Sequence, residues 1–310
     1  MDVSVIICTW NRASILDRVL EQMAKLEVPS NLRWELLVAN NNSSDATDEV
    51  IAHHGSRLPV RGLLEPRQGK SFAANRAVNT AQGNLLIWAD DDIFVRPDWI
   101  MQYVNAARSF PEASFFGGAI EVMFEAEPPQ WIGRYLAVRG PYGGHLLGDD
   151  VRWMTPQEAP LGGNMAMRAS VLRDFSFDSR LGRFGEAVLP AEDGELFARM
   201  KQAGHRGVWV GPARVRHFVP ADRLTSRYVW NWYRSHGRTL VLRGTGEQDQ
   251  KLFGMPRWAL RRFVEARLAS ILLLPFRNEA WVKAYTESAR MMGVMQQARE
   301  ALRTAQAPHA

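Results

Sequence analysis

The first ninety residues of this chain repeat one pattern: a short apolar run, a cluster of polar residues, then a stretch with helical spacing. Residues 3–8 are a continuous apolar run with β-branched members, which reads as a buried strand. Residues 34–39 and 84–89 read the same way, and 58–64 supplies a weaker strand between them. Helical spacing joins these runs: 13–26 repeats Ile15, Leu16, Val19, Leu20 and Met23, 45–53 is short, and 70–81 is rich in alanine. This βαβαβαβ order predicts an α/β fold, a Rossmann-like and mostly parallel sheet flanked by helices on both faces with right-handed crossovers.

Ligands of such sheets lie at the carboxyl ends of the strands. Three of the predicted strands run directly into polar clusters: Thr9-Trp10-Asn11-Arg12, then Asn40-Asn41-Asn42-Ser43-Ser44-Asp45, then Asp90-Asp91-Asp92. Three adjacent carboxylates repel one another unless a cation or a donor is present. A hard divalent ion takes such oxygens together with diphosphate oxygens. One carboxylate can grip the metal while another accepts a hydrogen bond from a ribose. The plainer reading is an acidic turn capping the next helix.

Further along, Glu192-Asp193 opens a predicted helix over 191–203. Backbone N–H groups there stabilise an anion, and such a carboxylate can take the proton of an attacking hydroxyl; a simple helix cap is the alternative. His217 comes after a predicted strand and has the chemistry to complete a metal's coordination, or to serve as a structural histidine. Gly69-Lys70-Ser71 invites a phosphate-loop reading, but six residues, not four, separate Gly62 from Gly69. Lys70 can still neutralise a diphosphate. Gly162-Gly163-Asn164 either lets backbone approach a ligand closely or makes a plain turn.

The remaining pattern divides the chain. A helix is expected over 97–108, a long strand over 114–124, and strands near 208–210 and 214–218. Residues 126–160 are rich in Pro, Gly and aromatics without periodicity, which marks a functional or mobile loop; Trp131 and Tyr142 there are of a kind that stacks on an acceptor sugar or packs in a core. From 224 onward the texture is helical, and 258–274 sets Leu260, Val264, Leu268 and Ile271 on one face. The last few residues read as disordered. Residues 1–222 carry 23 Lys and Arg against 27 acidic residues, whereas 223–310 carry 15 against 6, a net +9. The division implies a catalytic domain at 1–222 and a basic helical C-terminal extension at 223–310, the second suited to an anionic partner. The single cysteine, Cys8, excludes a disulfide framework and a cysteine zinc cluster, and reads as a buried structural thiol. The first residues lack a signal peptide's pattern, and the longest apolar stretch, 268–276, is too short to span a bilayer. A cytoplasmic protein, peripheral at most on the inner face of the membrane, is expected.

Taken together, these pieces resemble the family 2 glycosyltransferases of the GT-A fold, over about residues 2–240. Val5 to Arg12 is similar to the family's opening strand and donor-binding turn, Val38 to Thr47 to its second, Gly69 to Arg76 to the helix under the nucleotide, and Asp90-Asp91-Asp92 to its DXD motif. Gly163-Asn164 resembles the acceptor-side turn, and Glu192-Asp193 with Arg199, Gly204 and His217 the segment that carries the base. The resemblance implies an inverting hexosyl transfer from a nucleotide-diphosphate sugar to a hydroxyl of a saccharide or lipid-linked acceptor, in cell-surface polysaccharide or glycoconjugate synthesis. It implies Asp193 as base, Asp92 and His217 as ligands of Mn²⁺ or Mg²⁺, and Thr9, Asn11, Arg12, Asn40, Lys70, Asp90 and Asp91 around the donor. Trp131, Gly163, Asn164 and Glu192 fall on the acceptor side. The family commonly has aspartate where Asn40 stands; the amide still offers a carbonyl to the uracil imide, so a UDP-sugar is favoured. The Gln-x-x-Arg-Trp motif and spanning helices of the processive members are missing, which points to single additions.

Two rival readings stand beside this one. A nucleotidyltransferase making nucleotide sugars should show a glycine-rich basic loop after the first strand, where Thr9-Trp10-Asn11-Arg12 stands instead. A non-enzymatic basic module binding membrane or nucleic acid explains the tail but not the acidic strand end, and no nucleic-acid motif is present.

Overall fold

A computed structural model describes residues 1–133, 135–136, 140–184, 187–189, 192–242 and 251–306. The chain divides into two compact units: 1–123 with 142–187 and 192–219, and 124–141 with 188–191 and 220–310.

The first unit opens with β1 (Val3–Thr9), α1 (Ala13–Met23), β2 (Trp34–Asn40), α2 (Thr47–His53), β3 (Val60–Leu64), α3 (Lys70–Thr80) and β4 (Leu85–Asp90). The strands pair in parallel in the order β3-β2-β1-β4, with Thr9 opposite Asn40 and Cys8 opposite Asp90. This register brings the three polar strand ends to one edge. Nearly every residue of β1, β2 and β4 is buried, as both-face coverage requires. Helix α1 buries Leu16, Val19, Leu20 and Met23, one stripe at 3.6-residue spacing. It stops at Met23, short of the expected 26.

Beyond β4 come β5 (Ile93–Val95), α4 (Trp99–Ser109), β6 (Phe115–Phe124), β7 (Val151–Trp153), β8 (Asn164–Arg168), β9 (Gly182–Phe184), β10 (Ala187–Leu189), α5 (Glu192–Gln202) and β11 (Gly207–Val219). The sheet continues β4-β8-β6-β11-β5, with β8 antiparallel to both β4 and β6, so the parallel half is joined to a mixed half. The two strands expected near 208–210 and 214–218 are one strand. Gly211-Pro212 reads as a break, yet β11 runs through it because its halves have different partners: Val208–Val210 pairs with β7 and Val215–His217 with β5. A side chain at Gly211 would meet Gly148 O at 2.5 Å, so backbone packs on backbone there. The short strands β5 and β7, missed in the sequence, give too little pattern to detect.

In the second unit lie α6 (Ser226–Leu242), the two-residue strands β12 (Lys251–Leu252) and β13 (Met255–Pro256), α7 (Arg257–Leu272) and α8 (Glu279–Gln306). Helices α6 and α8 touch through glycines: a Cβ at Gly237 would lie 2.0 Å from Arg290 O, and one at Gly293 1.9 Å from Arg234 O. Ala259, Met291, Val294 and Met295 form the core between α7 and α8. The apolar stripe expected on α7 splits: Leu260 packs against that core, but Val264, Leu268 and Ile271 are exposed. The last four residues, for which disorder is expected, lie outside the described residues, as do Ala191 and, in the long loop, 134 and 137–139.

Candidate active site

The turn from β4 to β5 carries the three aspartates in different directions. Asp90 points to Lys70 at the start of α3, whose Nζ lies 2.7 Å from its Oδ1 and 3.4 Å from Glu192 Oε1. Asp91 and Asp92 are buried, and Arg12, on the turn after β1, bridges them: Nη1 donates to Asp91, and Nη2 to Asp92 Oδ2 at 2.9 Å. Thr9 adds a hydroxyl to Asp91 Oδ2 at 2.8 Å. Burial pushes the Asp91 carboxyl up to about 6, against Arg12 and with the help of Asp92. For Lys70, burial opposes the charge, but Asp90 and Glu192 outweigh it and raise the pKa. Arg12 obeys the same logic with Asp91 and Asp92.

His217 comes to this turn because β5, directly after Asp92, pairs antiparallel with β11, with His217 opposite Ile93 and the Phe218 N–H on Asp92 O. Its Nδ1 lies 2.5 Å from Tyr142 O, a group that only accepts, so Nδ1 carries the proton. Nε2 then faces Asp92 Oδ2 at 3.3 Å. Burial would lower the imidazole pKa, but Asp92 and the hydrogen bonds raise it above its ordinary value.

Asp193 opens α5, where Glu192, Asp193 and Glu195 crowd the first turn. Its Oδ2 accepts the Gly162 N–H at 2.7 Å and its Oδ1 the Gly194 N–H at 2.8 Å. These donors hold the anion in place, yet burial, then the charge of Glu192, lift the carboxyl to about 6. A Cβ on Gly162 would stand 3.3 Å from Asp193 Oδ2 and 3.7 Å from Lys70 Nζ, so the glycine keeps this corner open. Gly163 does the same beside Asp90 Oδ2, at 3.3 Å. Asp193, Glu192, Lys70, Asp90 and Gly162 line one pocket, with Cys8, Trp88 and Phe177 as its apolar wall. Burial pushes the Cys8 thiol up to about 12, so it stays neutral.

The other residues singled out in the sequence have different surroundings. The turns after β1 and β2 knit to each other. The Asn11 N–H donates to Ser43 Oγ at 2.9 Å, its Oδ1 accepts the Ser44 N–H at 2.7 Å, and Asp45 caps α1 through the Ala13 N–H at 2.9 Å. Asn40 is buried, donating to Asp48 at 2.7 Å and accepting the Ser43 N–H at 2.9 Å, which leaves its carbonyl one further lone pair. Asn164, expected on the acceptor side, is instead a fully buried strut. Its Oδ1 accepts from Trp99 Nε1 (2.9 Å) and Tyr103 OH (2.8 Å), and its Nδ2 donates to Ala119 O (3.0 Å) and Ala213 O (2.6 Å), which uses the whole amide. Trp131 belongs to the second unit, its ring edge-on to Trp281 at 5.6 Å.

Three residues named in the sequence have contacts that it did not reveal. Gly162 donates to Asp193, and Tyr142 orients His217 through its carbonyl, which no side-chain pattern reveals. Asn41 is the third: its Nδ2 donates to Glu65 O and Arg67 O, and its Oδ1 accepts the Gly69 N–H at 2.7 Å. It thereby sets the loop that delivers Lys70, and the run of three asparagines was its only signal.

Five carboxylates, those of Asp90, Asp91, Asp92, Glu192 and Asp193, thus stand around two fixed cations, Lys70 and Arg12. Among the described residues, no group of three or more His, Cys, Asp or Glu converges for a metal. The pair Asp92–His217 suits an ion that completes its shell with diphosphate oxygens and water.

The glycosyl transferase family 2 model matches residues 4–174, more than half of the chain. The chain belongs to this family. It is a glycosyltransferase of the GT-A fold. This family 2 glycosyltransferase is 24% identical over 248 residues to the glucosyl-dolichyl phosphate glucuronosyltransferase of Haloferax volcanii, covering 75% of this chain and 76% of that protein. It is 23% identical over 134 residues to the succinoglycan biosynthesis protein ExoM of Rhizobium meliloti, 43% of either chain. Among solved structures, the mannosyltransferase PcManGT of Pyrobaculum calidifontis, in complex with GDP-Man and Mn²⁺, superposes with a TM-score of 0.56 at 20% identity, over 99% of this chain and 76% of that one. S. aureus TarS 1–349 in complex with UDP-GlcNAc gives 0.56 at 15% identity, over 100% and 93%.

Proposed function

We propose that this glycosyltransferase moves a hexosyl group, with inversion, from a nucleotide-diphosphate sugar to a hydroxyl of a saccharide or lipid-linked acceptor. The observation that carries the proposal is the shared pocket of Asp193 and Lys70. A carboxylate whose pKa is lifted to about 6 and whose oxygens are fixed by two backbone N–H groups faces the ammonium held by Asp90.

Asp193 accepts the proton of the acceptor hydroxyl as that oxygen bonds to the anomeric carbon. The bond from that carbon to the diphosphate oxygen breaks, and the nucleoside diphosphate leaves with the electron pair. The sugar passes through an oxocarbenium-like state. Lys70 stands ready for the growing negative charge. Mn²⁺ or Mg²⁺, held by Asp92 and His217, would supply Lewis-acid stabilisation of the leaving diphosphate. Arg12 holds the Asp92 carboxylate in place and is itself anchored by Asp91, which also accepts from Thr9, with Asn11 and Asn40 at the nucleoside end. Gly163 and Glu192 border the acceptor side.

A uridine donor is favoured for the free lone pair on the Asn40 carbonyl; PcManGT in complex with GDP-Man keeps guanosine as the alternative to test. A lipid-linked acceptor draws support from the name of the Haloferax volcanii relative, and polysaccharide synthesis from that of ExoM. Among the described residues, no helix is long and apolar enough to cross a membrane. Contact with the inner face of a membrane through the basic residues 223–310 fits a lipid-linked acceptor, and nucleic acid is not among the partners. The test is a panel of UDP- and GDP-sugars with Mn²⁺ or Mg²⁺, read by calorimetry and donor turnover. Tight binding of one donor only with metal, lost in Asp92→Ala, supports the reading; no binding of any donor sinks it.

A further inference from the structure

The second unit has a face whose composition is wrong for water. On α7, Leu268 (58% exposed), Ile271 (54%) and Leu272 (75%) lie on one side, and Phe276, four residues after the helix ends, is exposed as well (70%). Residues spaced at i, i+3 and i+4 share a helix face, so this is a continuous apolar patch and not scattered exposure. It borders a groove lined by Arg227, Trp230, Arg267, Ile271, Leu274 and Tyr285. The Arg267 guanidinium lies 5.5 Å from the Trp230 ring, and that ring packs on Tyr285 at 5.1 Å. No ion pair to a carboxylate is found for Arg227 or Arg267 among the described residues, and both are exposed. Nearby acids are already engaged: Glu265 by Arg261, Glu279 by Lys283, and Glu287 by Arg290 and Arg262.

We infer that this face docks on an anionic lipid bilayer, with Leu268, Ile271, Leu272 and Phe276 entering the acyl boundary and Arg227 and Arg267 meeting lipid phosphates. Charge decides the occupant: residues 223–310 carry a net +9, so a second copy of the same face would be repelled, whereas an anionic surface attracts it. Chemistry separates lipid from nucleic acid, because four large exposed aliphatic and aromatic side chains have no use against a phosphodiester backbone. An amphipathic segment with bulky apolar residues on one side and arginines around it matches interfacial insertion, and the Trp–Tyr–Arg rim matches the aromatic and cationic belt at that depth. The inference deepens the membrane part of the proposed function and does not rest on the transfer chemistry.

The test is vesicle flotation of the full chain with phosphatidylcholine alone and with phosphatidylcholine containing phosphatidylglycerol. The expected result is flotation with the anionic vesicles only, weakened by high salt. Leu272→Ser with Phe276→Ser should reduce the bound fraction tenfold or more, and Arg227→Glu with Arg267→Glu should do the same. All four sites are exposed, so circular dichroism should be unchanged. Flotation that survives both pairs of substitutions overturns the assignment of this face while leaving membrane contact intact. Absence of flotation with either vesicle overturns both. A concentration-dependent dimer, seen by sedimentation and dissolved by Leu272→Ser with Phe276→Ser, overturns the lipid in favour of a second copy. Donor turnover on a soluble acceptor, measured alongside, should be the same in all variants, which keeps this outcome separate from that of the catalytic reading.

Discussion

Nε2 of His217 faces Oδ2 of Asp92 at 3.3 Å, while Nδ1 of the same ring is committed to the Tyr142 carbonyl. That commitment leaves Nε2 as the ring atom available to a cation, in the way second-shell bonds fix a ligating imidazole. His217→Ala is therefore expected to raise the Mn²⁺ concentration needed for half-maximal donor binding about tenfold or more, ~1.4 kcal/mol. Asp92→Ala should abolish the metal dependence. Calorimetric titration of Mn²⁺ at fixed UDP-sugar measures both; an unchanged metal requirement in both variants removes the pair from the metal's shell.

Asp193→Ala should separate chemistry from binding. Its two oxygens are held by the Gly162 and Gly194 N–H groups, so donor affinity is expected to stay within about twofold, ~0.4 kcal/mol. Loss of a general base should lower turnover by about 10²–10⁴. A variant that keeps full turnover would refute Asp193 as the base.

The pH dependence comes from the same group. Its carboxyl is lifted to about 6 by burial, then by Glu192, and only the ionised form can accept a proton. Below pH 6 the protonated fraction grows, so the transfer rate should fall about tenfold per unit; above pH 6 it should level off. The rate profile of kcat on saturating donor and acceptor checks this, and an acid limb centred near 4 would contradict it.

Asn164 gives the opposite kind of prediction. Asn164→Ala strands Trp99 Nε1, Tyr103 OH and the carbonyls of Ala119 and Ala213 in the core. Unpaired buried groups cost about 1–3 kcal/mol each before relaxation, so a total near 3–5 kcal/mol is expected. Thermal melting should drop by about 10 °C, whereas Asp193→Ala should melt close to the wild type.

In the second unit, Gly237→Ala and Gly293→Ala should each destabilise by about 1–3 kcal/mol, the usual range for overpacking. A new methyl at either site meets backbone of the facing helix at about 2 Å. Chemical denaturation followed by tryptophan fluorescence measures the loss; an unchanged midpoint in both variants would mean that the helices part easily.

Much of the candidate site was legible because parallel strands end in step. Once β1, β2 and β4 are recognised as neighbours, Thr9, Asn40 and Asp90 must fall on one edge, since register sets Thr9 opposite Asn40 and Cys8 opposite Asp90. The acidic triplet, Lys70 and Asp193 could be named on residue type and position alone. What escaped depended on contacts between distant segments. Asn164 sits in an apparent acceptor turn, but antiparallel pairing of β8 with β4 turns its amide into the core, where four partners from α4, β6 and β11 saturate it.

Local pattern carried the periodicities, the polar strand ends and the charge of residues 223–310, because each is a property of neighbouring residues. The tertiary arrangement settled the rest. It made β11 one strand through Gly211-Pro212 by giving each half its own partner. It divided the acidic turn between Lys70 and Arg12. It turned the α7 stripe from Val264 to Ile271 outward, since the α8 core takes Ala259 and Leu260 instead. A hydrophobic stripe states that a helix has an apolar side; which neighbour covers it depends on free energies summed over elements far apart in the chain.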